Sequence, residues 1–327
     1  MIRFFSTGYL SRYLLLFILG LIFWAPSIIY PTYYTGVSSF AYNQILFLTT
    51  QNVYLQSVAS LIVTLVTALL LNKCAIDNGF NGKISTLVAF IYILLTSSVV
   101  GEFHNNPVIW INFLLVFVLS NLMQLPYVKN TIPVIFNASF LIGIASLFYS
   151  PLVFLVLFIW ASVFIHRIVT WRNLFVALIG IVLPYFLLLT LFFAMDILLE
   201  ESYVLFDSFQ IDTHFLFMKD PIEIAISVIL LTITVLSAIG VANWIPEKNI
   251  NLRRNLIITL FYLVIVFLIL LVSEKSLVSA LLLCLPSALL IGHWLGNIKR
   301  TRLYNIALSI VMILIIFNHY LYLLFSL

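Results

Sequence analysis

Apolar runs of membrane-spanning length follow one another through this chain from Leu14 to the C-terminus. A spanning helix needs about 20 mostly apolar residues, with a working range of about 17 to 25. Eleven segments meet that requirement: 10–30, 53–71, 84–100, 108–125, 132–149, 152–168, 174–199, 222–245, 256–272, 277–296 and 305–326. The fifth is interrupted by Pro133, Asn137 and Ser146, so a re-entrant or strongly tilted helix is an alternative reading there. A soluble domain carries roughly a quarter charged residues. Here the fraction is 8%, beside 64% hydrophobic residues and a mean hydropathy of +1.21. So few charges cannot cover a water-facing surface, and the solvent for most of the molecule is lipid. The sequence predicts an all-α polytopic transmembrane bundle of about eleven helices in one domain, 1–327. Long apolar helices exclude the outer-membrane barrel class. Leu14 to Ile29 lacks a small-x-small cleavage site and runs into Pro31-Thr32-Tyr33-Tyr34, so it reads as the first membrane helix.

The loop charges orient the bundle. Arg3, Arg12, Lys73, Lys83, Lys129, Arg167, Arg172, Lys248, Arg253, Arg254, Lys299, Arg300 and Arg302 fall on one side of the alternating segments, and Lys219 and Lys275 on the other. By the positive-inside rule the first side is cytoplasmic. The N-terminus is then inside and the C-terminus outside, as in a multi-pass protein of a bacterial inner membrane. The net charge of +4 does not indicate nucleic-acid binding, because the basic residues are spread over short loops and form no stripe. Cys74, in a short polar loop, and Cys284, in an apolar segment, give no disulfide framework.

The acids run the other way. Glu102, Asp196, Glu200, Glu201, Asp207, Asp212, Asp220, Glu223 and Glu274 are on the outer side or at its edge, and only Asp77 and Glu247 are inside. The outer turn Gly101-Glu102-Phe103-His104-Asn105-Asn106-Pro107 is the densest polar cluster between two helices. A carboxylate and an imidazole two residues apart can bind a divalent metal or act as an acid/base pair. They equally fit a hydrated turn capped by Asn-Pro. Asp196, near the outer end of the seventh segment, has a desolvation cost and needs a partner or a route to the interface. His319, beside Asn318, either joins an outer cavity with Glu102 and His104 or sits at the interface with Tyr320 and Tyr322. His166 and His293 lie near inner helix ends beside basic clusters, as headgroup-level residues or partners of helix C-termini. The uncharged loop 31–52 is rich in Tyr and Phe and offers apolar area for a lipid chain. There is no Walker A loop, no dinucleotide glycine pattern, no His-Glu-x-x-His and no Cys-x-x-Cys.

From Gln56 to Leu191 the order of features resembles the GT-C type of integral-membrane glycosyltransferases. The pieces are the helix Val53–Leu71, the inner turn Asn72–Lys83, the outer Glu102-x-His104 turn, the small-residue run Phe136–Leu147 leading into Ser150-Pro151, and the basic turn Arg167–Arg172. The resemblance implies a GT-C-like core over about 10–199 with additional helices over about 222–326. It implies transfer of a sugar from a polyprenyl-phosphate donor to an acceptor at the outer face. Glu102 and His104 would hold the donor phosphate or a divalent metal, with Asn105, Asn106 and His319 lining the cavity. The family's catalytic acid usually lies in the first outer loop, but no Asp or Glu precedes Asp77 here. The base is therefore assigned to Asp196, Glu200 or Glu201. A non-catalytic scaffold or accessory subunit of an envelope complex is the alternative, and a lipid or small-molecule transporter a third. Membrane lipids are partners in every case.

Overall fold

The computed structural model describes residues 2–5, 10–30, 52–81, 85–98, 106–196, 221–272, 279–298 and 302–325. Among them the chain forms eleven helices of ten residues or more and no strand. They are α1 (Leu10–Ile29), α2 (Val53–Asp77), α3 (Leu87–Thr96), α4 (Pro107–Gln124), α5 (Thr131–Phe148) and α6 (Val156–Ile165). The rest are α7 (Trp171–Ala194), α8 (Pro221–Trp244), α9 (Ile250–Val272), α10 (Cys284–Asn297) and α11 (Arg302–Phe325). A helical turn, Ile2–Phe5, precedes α1, and 3-10 turns Ser150–Leu155 and Ser279–Leu283 lead into α6 and α10. Nine of the described helical stretches are long and apolar enough to cross a bilayer, while α3 and the Ser150–Ile165 stretch are shorter. The protein is an all-α polytopic membrane bundle.

Each predicted segment contains one helix, and several boundaries move for identifiable reasons. Segment two runs on to Asp77, so Cys74 is a buried helical residue and not a loop residue. The stop signal is Asn78-Gly79, where Gly79 takes φ 75 and Phe80 N–H donates back to the Ala75 carbonyl at 2.9 Å. Only glycine adopts that left-handed conformation without steric cost. Segment five is one continuous helix. Pro133 occupies its first turn, where a backbone N–H has no intrahelical acceptor, so the ring breaks nothing. Four helices begin on side-chain caps: Asn52 on Tyr54 N–H, Asn106 on Ile109 N–H, Asn130 on Ile132 N–H and Thr170 on Asn173 N–H, at 3.1 to 3.3 Å.

Interhelical hydrogen bonds show that the helices alternate in direction. At the end carrying the described basic residues, Asn72 Nδ2 of α2 donates to the Ser85 carbonyl before α3 at 2.8 Å. There too, Asn255 Nδ2 of α9 donates to Asn78 Oδ1 at 3.1 Å. At the opposite end, Asn112 Nδ2 of α4 donates to the Leu281 carbonyl before α10 at 3.0 Å. His319 of α11 reaches the Ser97 carbonyl after α3 at 2.8 Å. Although α3 is short, its two flanks thus connect both ends of the bundle.

The core is organised on α3 and α10, which pack on each other. All ten residues of α3 are buried. The stretch that contains α10 is 78% buried, against 22% for α7. Helices α2, α4, α8 and α9 surround this pair, and α1 and α11 pack outside it. The α5–α7 pair forms a flank built on small residues. A Cβ on Gly180 would lie 1.9 Å from Ser139 Oγ, and one on Gly143 would lie 2.7 Å from the Ile181 carbonyl oxygen. Close backbone approach through small residues is how helices associate where lipid removes the hydrophobic driving force. Gly143 also makes room for the ring of Pro184, which interrupts the hydrogen bonding of α7. Gly180→Leu is expected to force α5 from α7 and destabilise the protein by about 1–3 kcal/mol. Ile179→Leu, on the exposed face of the same helix, should leave thermal melting in detergent unchanged.

Candidate functional site

Of the residues assigned a role from the sequence, Glu102, His104, Asn105, Glu200 and Glu201 lie outside the described residues, whereas Asn106, Asp196 and His319 are described. Asn106 precedes Pro107 and caps α4 with its side-chain oxygen, 3.3 Å from Ile109 N–H. Its side chain is buried, and its Nδ2 has no hydrogen-bond partner among the described residues. The Asn-Pro capping expected for this turn is therefore present, with the amide turned inward. His319 is also buried, and its Nε2 is directed at the Ser97 carbonyl. The Phe23 carbonyl of α1 is a second acceptor for the same ring. His319 thus lies inside the bundle and not on its exposed surface.

These two residues bracket one stretch of chain. His319 fixes the Ser97 end of segment 99–105 and Asn106 stands at its other end. Asp196 is placed elsewhere. It is exposed, with φ 58, in the turn that closes α7. Helix α7 packs on α5 and α6, whereas His319 packs where α11 and α1 approach α3. Asn106 and the His319–Ser97 contact thus stand at the two chain ends of segment 99–105, whereas Asp196 closes α7 on the flank that α7 forms with α5 and α6.

Below Asn106 a polar group sits inside the apolar core. The Asn112 amide bonds the Leu281 carbonyl and faces the Tyr92 hydroxyl, while Asn112 Oδ1 and the Tyr262 hydroxyl have no partner among the described residues. The Tyr262 ring stacks on Phe158 with centroids 4.6 Å apart. All of these side chains are buried.

A second polar network, at the basic end, is one that sequence reasoning did not find. The turn 78–81 is its centre. Asn78 takes a bond from Asn255, the Phe80 carbonyl accepts from His293 Nδ1, and Asn297 Nδ2 donates to the His293 carbonyl at 2.7 Å. The Asn81 amide is satisfied when its nitrogen faces the Phe80 and Gly292 carbonyls, at 2.8 and 3.2 Å. Beside this, His166 Nε2 at the end of α6 meets the Leu122 carbonyl of α4 at 3.1 Å. The N-terminal turn adds the Phe5 carbonyl, which accepts from Thr86 N–H at 2.8 Å, and the Phe5 ring, stacked on Phe90 at 4.3 Å. The available signal was an amide at the edge of an apolar run, as at Asn72 and Asn255. A charge-based reading passes over such residues.

The three described imidazoles share one use: His166, His293 and His319 each end on a main-chain carbonyl of another element. An imidazole N–H is a donor, and each of the three rings presents a nitrogen to a main-chain carbonyl oxygen. No group of three His, Cys, Asp or Glu residues arranged to hold a metal occurs among the described residues. His319→Leu leaves the buried Ser97 carbonyl without its donor and is expected to destabilise the bundle by about 1–3 kcal/mol. His319→Gln, which keeps an amide donor, should recover most of that loss in a detergent melting curve. Comparison with family models, with curated proteins and with solved structures returns no match to this chain.

Proposed function

We propose that this protein is a non-catalytic structural subunit of an envelope complex, embedded in a bacterial inner membrane with its N-terminus cytoplasmic and its C-terminus outside. The observation that carries the reading is the use made of the buried imidazoles. His166, His293 and His319 each engage a carbonyl of a neighbouring element, as helix-to-helix struts. In each ring the nitrogen on the carbonyl is committed to that bond and is not open to a substrate or a metal. The helices α7, α8 and α11 turn most of their surface outward, toward lipid or membrane partners. Support for this topology is the split of Lys and Arg over the alternating loops, thirteen on the side of the N-terminus and two on the other. Expressed at its native level and purified in mild detergent or native nanodiscs, the protein should emerge with a stoichiometric membrane partner by native mass spectrometry. A lone monomer under every such condition overturns the proposal.

A specific observation also favours a second reading, a GT-C-like glycosyltransferase acting on a polyprenyl-phosphate-linked sugar at the outer face. Asn106 and His319, both buried, bracket the segment that carries Glu102 and His104. On this reading Glu102 and His104 hold the donor phosphate or a divalent metal, and the base comes from Asp196, Glu200 or Glu201. Glu102→Ala should then abolish a lipid-linked sugar product in membranes while leaving the melting temperature unchanged. An unchanged lipid-linked sugar profile in both Glu102→Ala and Asp196→Ala removes this reading.

A further inference from the structure

Helix α6 ends in a way that glycine normally handles. Arg167 N–H donates to the Phe164 carbonyl at 3.1 Å and Ile168 N–H to the Val163 carbonyl at 3.2 Å. This bond pair marks a helix C-terminus whose closing residue is left-handed. At the end of α2 the same pair is closed by Gly79, but at the end of α6 it is closed by Arg167, with φ 59. An L side chain is strained in that conformation, so the arginine sits there at a cost to the fold. Next to it, α6 and α7 enclose an apolar crevice of about 360 Å³, lined by Trp160, Phe164, Trp171, Leu174, Phe175 and Leu178. That volume is within the range of about 300–1,000 Å³ typical of small-ligand sites. Trp160 Nε1 donates to the Leu174 carbonyl at 3.4 Å and ties the two walls together. Phe164, Trp171 and Phe175 are exposed along the crevice, on the outward surface of the bundle.

The charge in the turn between the two crevice walls is of one sign. Arg167 closes the turn below Phe164, Arg172 follows Trp171, and both are exposed. The stretch from His166 to Asn173 contains no acid. An aromatic-walled groove open to lipid, with two guanidiniums at its headgroup end, matches a molecule with an apolar chain and an anionic phosphate. We propose that this crevice is a binding site for an anionic phospholipid, with one acyl chain between α6 and α7 and the phosphate held by Arg167 and Arg172. The strained arginine then has a use that glycine would not provide.

The test uses the full chain in nanodiscs of phosphatidylcholine and phosphatidylglycerol, released for native mass spectrometry. Wild type should retain phosphatidylglycerol above its bilayer share. Arg167→Gly and Arg172→Gln should each cut that enrichment by about fivefold, the effect of one cation at an anionic lipid surface. Leu178→Trp, which fills the crevice and keeps both arginines, should also cut it. In pure phosphatidylcholine, Arg167→Gly should melt at or above the wild-type temperature, because the turn loses its strain. Retention of the two lipids in their bilayer ratio by wild type overturns the site. So does enrichment that survives the arginine variants or Leu178→Trp, and so does an Arg167→Gly protein that melts well below wild type in phosphatidylcholine.

Discussion

A hydrocarbon environment supplies no hydrogen-bond partner, and that constraint governs where this chain places its polar side chains. A polar group left unmet in lipid costs several kcal/mol, on the order of the net stability of a whole domain. The described answer is to pair side-chain amides and imidazoles with main-chain groups that helix ends leave open. Asn72 meets the Ser85 carbonyl, His293 meets Phe80, His319 meets Ser97 and Asn112 meets Leu281. Each acceptor lies in a helix flank or a 3-10 turn, where a carbonyl has no regular α-helical partner. One bond therefore satisfies two groups and joins two elements. The same pairing explains why the ties lie toward the ends of the bundle, while the middle is packed with aliphatic and small side chains.

Interhelical hydrogen bonds inside membranes are individually weak, about 0.6 kcal/mol on average. They fix register and neighbour choice more than they supply stability. The close contacts supply the rest. Gly240 of α8 admits the Trp294 indole of α10, Gly292 of α10 admits Val88 of α3, and Gly180 of α7 admits Ser139 of α5. Two of these three approaches involve α10, which together with α3 forms the buried axis. An axis made of short helices, one led in by a 3-10 turn, still reaches both ends because its flanks are tied to longer neighbours.

Much of this architecture was legible from length and hydropathy. All the helical segments could be counted, because a run of apolar residues of bilayer length has few other ways to be satisfied. Boundaries were less legible where charge was used to mark a loop. Lys73 did not end α2, because a lysine near a helix end can reach the interface while its backbone stays helical. Arg253 and Arg254 likewise belong to the first turn of α9, which starts at Ile250 and not at 256. The candidate site was less legible still. Acids and histidines drew attention to the end with the long loops, yet the network around residues 78–81 joins Asn255 to Asn78 and His293 to Phe80, across 177 and 213 residues of sequence. Nothing local in the sequence encodes such a pairing.

Described ties join helices at both ends of the bundle. Around the described basic end, α2, α3, α4, α6, α9, α10 and the N-terminal turn are cross-linked through Asn72, Asn255, His293, His166 and Thr86. At the opposite end the described ties are Asn112 to Leu281, His319 to Ser97, Tyr185 to Ser146, and longer contacts from Tyr320 to Ile22 and from Trp24 to Ser60. Separating helices at the basic end therefore requires several bonds to break together, including those of the turn that closes α2.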